Sequence, residues 1–259
     1  MGAGSGWSLE SFTGLSHKMM QNISYNFRTL LNKAKAVLLA SCLVSLIPWV
    51  SAQDLPNPTR WKNEMAAFDA LDAANTPLEG AIVLTGSSSI RLWKDPAADL
   101  APLTVIQRGF GGSVMGDLLY YLDRTVLRYK PRAVVIYEGD NDTALNISTD
   151  TILNQLRQII SRIHGELPET RIYLLAAKPS VLRWEIFDHA QVVNAGYQLI
   201  ADSDPQVYYI DTVTPFLEKN GVVMDDIFVS DNLHLNDTGY LIWSSTIRAA
   251  LMPNEIRVE

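Results

Sequence analysis

Residues 133–142 read Ala133-Val134-Val135-Ile136-Tyr137-Glu138-Gly139-Asp140-Asn141-Asp142. Five β-prone apolar residues in a row, with no polar alternation, describe a strand covered on both faces. The run then meets a glycine and three short polar side chains, the chemistry of a turn or a helix start. A helical pattern follows from Thr149 to His164, with Thr149-Asp150 as its expected N-cap. Strand, polar turn and helix in that order make the unit from which parallel sheets are built.

The same unit recurs on both sides. Further strands are expected at Ala81–Thr85, Thr104–Gln107, Arg171–Ala176 and Val207–Ile210, and further helices at Met115–Leu127, Trp184–Ile200 and Asp237–Leu251, the last capped by Asn236-Asp237. Leu55 to Thr76 reads as an N-terminal arm and an amphipathic helix with Trp61, Met65, Phe68 and Leu71 on its apolar face. No repeat, low-complexity segment or Gly/Ser linker interrupts the chain after Gln53, so residues 53–259 are expected to form one α/β domain with a parallel five-stranded sheet and helices on both faces. In such sheets the site lies beyond the carboxyl ends of the strands.

Residues 1–52 differ in kind. Lys33 and Lys35 precede a charge-free apolar stretch from Ala36 to Val50, and Val50-Ser51-Ala52 offers small residues before Gln53. These are the regions of a secretory signal peptide, and the domain is expected to be exported to a periplasmic or extracellular location, meeting the membrane only transiently. Fifteen residues fall short of the roughly 20 that span a bilayer; retention as a membrane anchor through residues 36–50 is the alternative. Met1 to Lys18 is Gly/Ser-rich and precedes the basic region, so Met19 or Met20 is an alternative start. The lone cysteine, Cys42, is expected to leave with the leader, although Leu39-Ala40-Ser41-Cys42 loosely resembles a lipidation box.

The whole chain of 259 residues carries a net charge of −7; residues 1–52 hold Lys18, Arg28, Lys33 and Lys35 against Glu10, so the remaining 207 carry −10. A domain this acidic is a poor nucleic-acid or anionic-membrane binder, and suits neutral or weakly charged substrates. One cysteine excludes a disulfide scaffold, and no cofactor or metal motif stands out.

Four strand-end or loop segments carry the chemistry: Gly86-Ser87-Ser88-Ser89-Ile90, Arg108-Gly109-Phe110-Gly111-Gly112-Ser113, Glu138-Gly139-Asp140-Asn141-Asp142 and Asp231-Asn232-Leu233-His234. Each alone is an ordinary turn or cap. Together they supply what acyl transfer needs. A serine is a weak nucleophile until a base takes its proton. His17 lies in the leader, and His164 and His189 sit in helical patterns without an evident acidic partner. His234 has Asp231 three residues before it, able to hold the other ring nitrogen. A glycine N–H at Gly112 and the Asn141 amide are suited to a developing oxyanion.

The four blocks resemble the SGNH hydrolases, the GDSL esterase/lipase family, over residues 78–252. That resemblance implies a three-layer flavodoxin-like sandwich and metal-free ester hydrolysis without a cofactor. It maps the nucleophile to Ser88, the base to His234 and its orienting carboxylate to Asp231. It maps the oxyanion hole to the Ser88 and Gly112 N–H groups and the Asn141 side chain. The family's first block usually reads Gly-Asp-Ser, and here Ser87 replaces the aspartate, so a changed supporting hydrogen bond is expected. The serine run leaves Ser87 or Ser89 as alternative nucleophiles if the turn is shifted.

A rival is a metal-dependent phosphoesterase using Asp140, Asp142, Asp231 and His234. For substrate, Arg183 and Trp184 follow the fourth strand and are candidates to line a pocket, with Trp184 either stacking on a sugar or packing. No lid-like apolar insertion separates the blocks, which favours short acyl groups on carbohydrate or small-ester substrates; lysophospholipid, thioester or acyltransfer chemistry on the same site is the alternative. Asn141-Asp142-Thr143, Asn146-Ile147-Ser148 and Asn236-Asp237-Thr238 match the glycosylation pattern, and a glycan on Asn141 would consume the proposed donor, which points to a bacterial exported protein.

Overall fold

The structure is a computed structural model and describes residues 55–256. The leader, Cys42, His17 and the cleavage site lie outside the described residues. Five parallel strands, β1 (Ile82–Gly86), β2 (Val105–Gly109), β3 (Ala133–Tyr137), β4 (Arg171–Leu175) and β5 (Val207–Ile210), pair in the order β2-β1-β3-β4-β5. The α/β architecture expected from the alternating pattern is the one found, with strand boundaries moved by at most two residues.

Alternate residues along each strand enter different cores, which is why the runs show no polar alternation. Val134 and Ile136 join the layer built from Met65, Leu118, Ile152, Leu156, Ile159 and Val193. Ala133, Val135 and Tyr137 join the opposite layer, with Ile90, Trp93, Tyr240, Trp243 and Ile247. The α-helices of the described residues are α1 (Lys62–Ala74), α2 (Ser88–Arg91), α3 (Pro96–Asp99), α4 (Met115–Tyr120), α5 (Leu122–Thr125), α6 (Asp140–Ala144), α7 (Thr149–Glu166), α8 (Phe187–Ser203) and α9 (Asp237–Glu255).

Register sets the site. Gly86 lies opposite Gly109 on one side and Tyr137 on the other, so β1, β2 and β3 end level. The chain leaves β1 for β2, then returns past it to β3, which makes the crevice above β1 and β3 the topological switch. Ser88 follows β1 and Asn141 follows β3.

Several local expectations change. The single helix over Met115–Leu127 is broken at Tyr121, and Arg162 of α7 donates to the Leu119 carbonyl at 3.2 Å, within the turn where the break occurs. The cap of α7 is Ser148, whose hydroxyl accepts from Thr151 N at 3.2 Å, one residue before the expected Thr149. Leu71 of α1 is exposed; the inward position after Met65 and Phe68 belongs to Asp72, which accepts from the Tyr129 hydroxyl at 2.7 Å and pairs with the buried Arg108. Trp184 lies in a 3-10 turn before α8. Helix α9 runs past Pro253 to Glu255, which is pinned by Arg171 at 2.5 Å and the Tyr173 hydroxyl at 2.9 Å. His164, expected to lack an acidic neighbour, has Asp204 at 3.6 Å.

Candidate active site

The β1–α2 turn exposes one serine of three. Gly86 has φ +125°, and a Cβ there would fall 2.0 Å from the Tyr137 carbonyl oxygen, so only glycine lets β1 leave the sheet against β3. Ser87 and Ser89 are buried, while Ser88, the first residue of α2, is half-buried. Ser87 stands where the family's first block usually has an aspartate, and its backbone fastens the turn. Its N–H donates to Tyr137 O at 3.0 Å and its carbonyl accepts from Ile90 N and Arg91 N at 3.1 and 3.2 Å.

A continuous polar chain ends on that serine. His234 Nε2 lies 2.9 Å from Ser88 Oγ, and His234 Nδ1 lies 2.6 Å from Asp231 Oδ2. The Asp231–His234 turn is self-bracing, because Asp231 Oδ1 accepts from the backbone N–H of Leu233 and of His234, each at 2.9 Å. Burial pushes the Asp231 carboxyl up, but the His234 ring and those two N–H groups outweigh it and hold the carboxyl down at about 2. Asp231 is therefore an anion wherever an enzyme would work, and an anion on Nδ1 keeps that nitrogen protonated and Nε2 free to accept.

Gly112 and Asn141 stand on segments that are tied together. Gly112 has φ +82° in a loop held to β1 by Phe110 N donating to Gly86 O at 2.8 Å, with the Trp61 indole against its open face. Asn141, on α6, donates from Nδ2 to Ser113 O at 2.9 Å, tying its amide to the residue after Gly112. Asp142 fastens the same two elements from beneath by accepting from Met115 N at 2.9 Å and Gly139 N at 3.0 Å.

The four side chains of the metal-dependent alternative, Asp140, Asp142, Asp231 and His234, each have partners within the protein. Asp142 is buried on backbone donors, Asp140 is held by Arg183 at 2.6 Å, and Asp231 faces His234. Among the described residues no three His, Cys, Asp or Glu side chains cluster as a ligand set.

Arg183 and Trp184, expected to line a substrate pocket, have other partners. Arg183 Nη1 and Nη2 donate to Asp140 Oδ1 at 2.6 Å and Asn141 Oδ1 at 3.0 Å. Trp184 stacks on Phe187 with ring centroids 5.5 Å apart and packs against the core, the packing alternative of the two. Sequence reasoning missed Lys178, fully buried, which donates to Leu233 O at 2.9 Å beneath the His234 loop. It also missed Glu138, whose Oε1 accepts from the Ser113 hydroxyl at 2.5 Å. A charged residue adjoining an apolar strand, as in Ala176-Ala177-Lys178 or Tyr137-Glu138, was the available signal. A cleft of about 500 Å³ beside His234 has a mixed wall, with Leu92, Val229, Leu235 and Tyr240 alongside Lys94, Asp231, Asn236 and Asp237.

The family model for the GDSL-like Lipase/Acylhydrolase family matches residues 79–242, which contain all four blocks. The chain belongs to this family. The GDSL-like acylhydrolase is accordingly a carboxylic ester hydrolase. Solved structures share its fold. A chain from Streptococcus pneumonia, described only provisionally as a platelet activating factor, is 21% identical over 84% of this chain and 99% of its own, with a TM-score of 0.66. A GDSL-like lipase from Bacteroides thetaiotaomicron is 22% identical over 76% and 98%, with a TM-score of 0.61. A catalytic mutant of the acetylxylan esterase Axe2 from Geobacillus stearothermophilus is 15% identical over 71% and 99%, with a TM-score of 0.56. A search of curated protein sequences returned no match.

Proposed function

We propose that this acylhydrolase is a serine esterase that removes short acyl groups, such as acetyl, from carbohydrate or small-molecule esters through an acyl-enzyme on Ser88. The observation that carries the reading is the unbroken chain from Asp231 through His234 to Ser88, at 2.6 and 2.9 Å. Ser88 Oγ attacks the ester carbonyl as its proton passes to His234 Nε2. The carbonyl oxygen, now an anion, takes donors from the Ser88 and Gly112 N–H groups and Asn141 Nδ2. His234 returns the proton to the departing alcohol, and water repeats the sequence on the acyl-enzyme. The acetylxylan esterase among the structural neighbours supports a short acyl group on a sugar.

The test is a series of p-nitrophenyl esters of increasing chain length together with acetylated xylo-oligosaccharides. Turnover is expected to be greatest for acetyl and to fall with chain length. A maximum at long chains, or turnover confined to lysophospholipids or acyl-thioesters, overturns the short-acyl reading. Turnover in excess EDTA separates the serine mechanism from a metal-dependent phosphoesterase, and full loss would overturn the former. Export belongs to the same proposal, and rests on the basic, apolar and small-residue order of residues 33–53. Mass spectrometry of the protein recovered outside the cytoplasm is expected to show Gln53 as the first residue. A retained apolar segment favours the anchor at residues 36–50.

A further inference from the structure

An asparagine is a useful oxyanion donor only if its amide faces the right way, since its two ends are nearly the same shape. Rotated by half a turn about its last torsion, Asn141 would present an acceptor to the developing anion. Two contacts oppose that rotation. Nδ2 donates to Ser113 O at 2.9 Å, and Oδ1 accepts from Arg183 Nη2 at 3.0 Å. The flipped amide would set oxygen against oxygen at Ser113 and NH₂ against a guanidinium that can only donate.

We propose that Arg183 is a positioning residue for ester hydrolysis, locking the Asn141 amide with its nitrogen toward the oxyanion. The inference rests on the reading of Asn141 as oxyanion donor. A planar guanidinium is suited to the task because its fork reaches two oxygens at once, Asp140 Oδ1 at 2.6 Å and Asn141 Oδ1 at 3.0 Å. Asp140, also contacted by the Tyr137 hydroxyl at 3.3 Å, holds one tine in place while the other holds the amide. Drawing electron density toward Oδ1 also makes the Nδ2 protons better donors, the cooperative effect expected of linked hydrogen bonds. The segment that carries Arg183 is itself fixed to the base loop, through Leu182 N to Asn232 O at 3.0 Å and Lys178 Nζ to Leu233 O at 2.9 Å. Arg183 thus holds the donor in a frame shared with His234.

The experiment measures kcat and KM for p-nitrophenyl acetate with the full chain and with Arg183→Gln, Arg183→Lys, Asn141→Ala and Arg183→Gln/Asn141→Ala, each checked by thermal melting. Arg183→Gln is expected to lower kcat roughly tenfold to a hundredfold with KM little changed, part of the 10² to 10³ that one lost oxyanion donor costs. Arg183→Lys, which keeps the charge without the fork, should lose nearly as much. Once Asn141 is alanine, removing Arg183 should cost less than about a factor of two, because nothing is left to orient. An equal loss of kcat in both backgrounds, a change in KM alone, or full activity in Arg183→Lys would overturn the proposal. An unchanged kcat in Asn141→Ala alone would overturn the oxyanion reading itself, and this inference with it.

Discussion

At the scale of single residues, Ser88 is set apart from Ser87 and Ser89 by exposure and by the 2.9 Å contact with His234 Nε2. Ser88→Ala is expected to lower kcat for p-nitrophenyl acetate by about 10⁴ or more and to abolish labelling by a fluorophosphonate probe. A labelled Ser88→Ala protein would place the nucleophile elsewhere. Asp231 acts one step further out. In Asp231→Asn an acceptor can be lost from Nδ1, so the ring adopts the tautomer with its proton on Nε2, where Ser88 needs a base. The rate should fall by about 10³ to 10⁴ with KM nearly constant. Because the Asp231 carboxyl is held at about 2, its own protonation does not shape the profile at ordinary pH.

At the scale of elements, the strands were legible and the short helices were not. A parallel strand between two cores must be apolar at every position, so Ala133–Tyr137 announced itself. Helices α2, α3 and α6 are only four or five residues long and are stabilised by tertiary contacts, such as Asp142 on Met115 N, that leave no periodic trace. The site divides the same way. Ser88, Asp231, His234, Gly112 and Asn141 stand in ordered blocks at strand ends and could be found. The Arg183 grip on Asn141 joins positions 42 apart and needs coordinates. The far ends of the strands make the contrast testable. Glu255, with its side chain fully buried, gathers Arg132, Arg171 and the Tyr173 hydroxyl where β3 and β4 begin, at the end opposite the site. Glu255→Gln should lower stability by about 1–3 kcal/mol, less than a fully buried pair would lose because both arginines keep some solvent. Denaturant titration measures it, and kcat should stay unchanged. A loss of rate at undiminished stability would show that the two ends are coupled.

At the scale of the whole molecule, residues 53–259 carry −10 and hold several carboxyls in the interior. Burial, then the charge of Asp142, pushes the Glu138 carboxyl well above its ordinary value, although the Ser113 hydroxyl works the other way. Burial likewise raises Asp142 to about 7, against the pull of its backbone donors. A raised carboxyl binds its proton more tightly in the folded chain than in the unfolded one. Its contribution to stability is therefore full below the unfolded value near 4 and is lost as pH rises through the folded value. Growing self-repulsion of an acidic chain acts in the same direction. The melting temperature should fall as pH rises from about 4.5 through about 7. Glu138→Gln, which copies the neutral acid and can still accept from Ser113, should flatten that fall without removing it, leaving Asp142 to account for the remainder. Thermal melts of both proteins from pH 5 to 8 at constant ionic strength decide the matter. A melting temperature that rises across this range, or an unaltered slope in Glu138→Gln, would mean that the buried carboxyls behind the oxyanion loop are ionised in the folded enzyme.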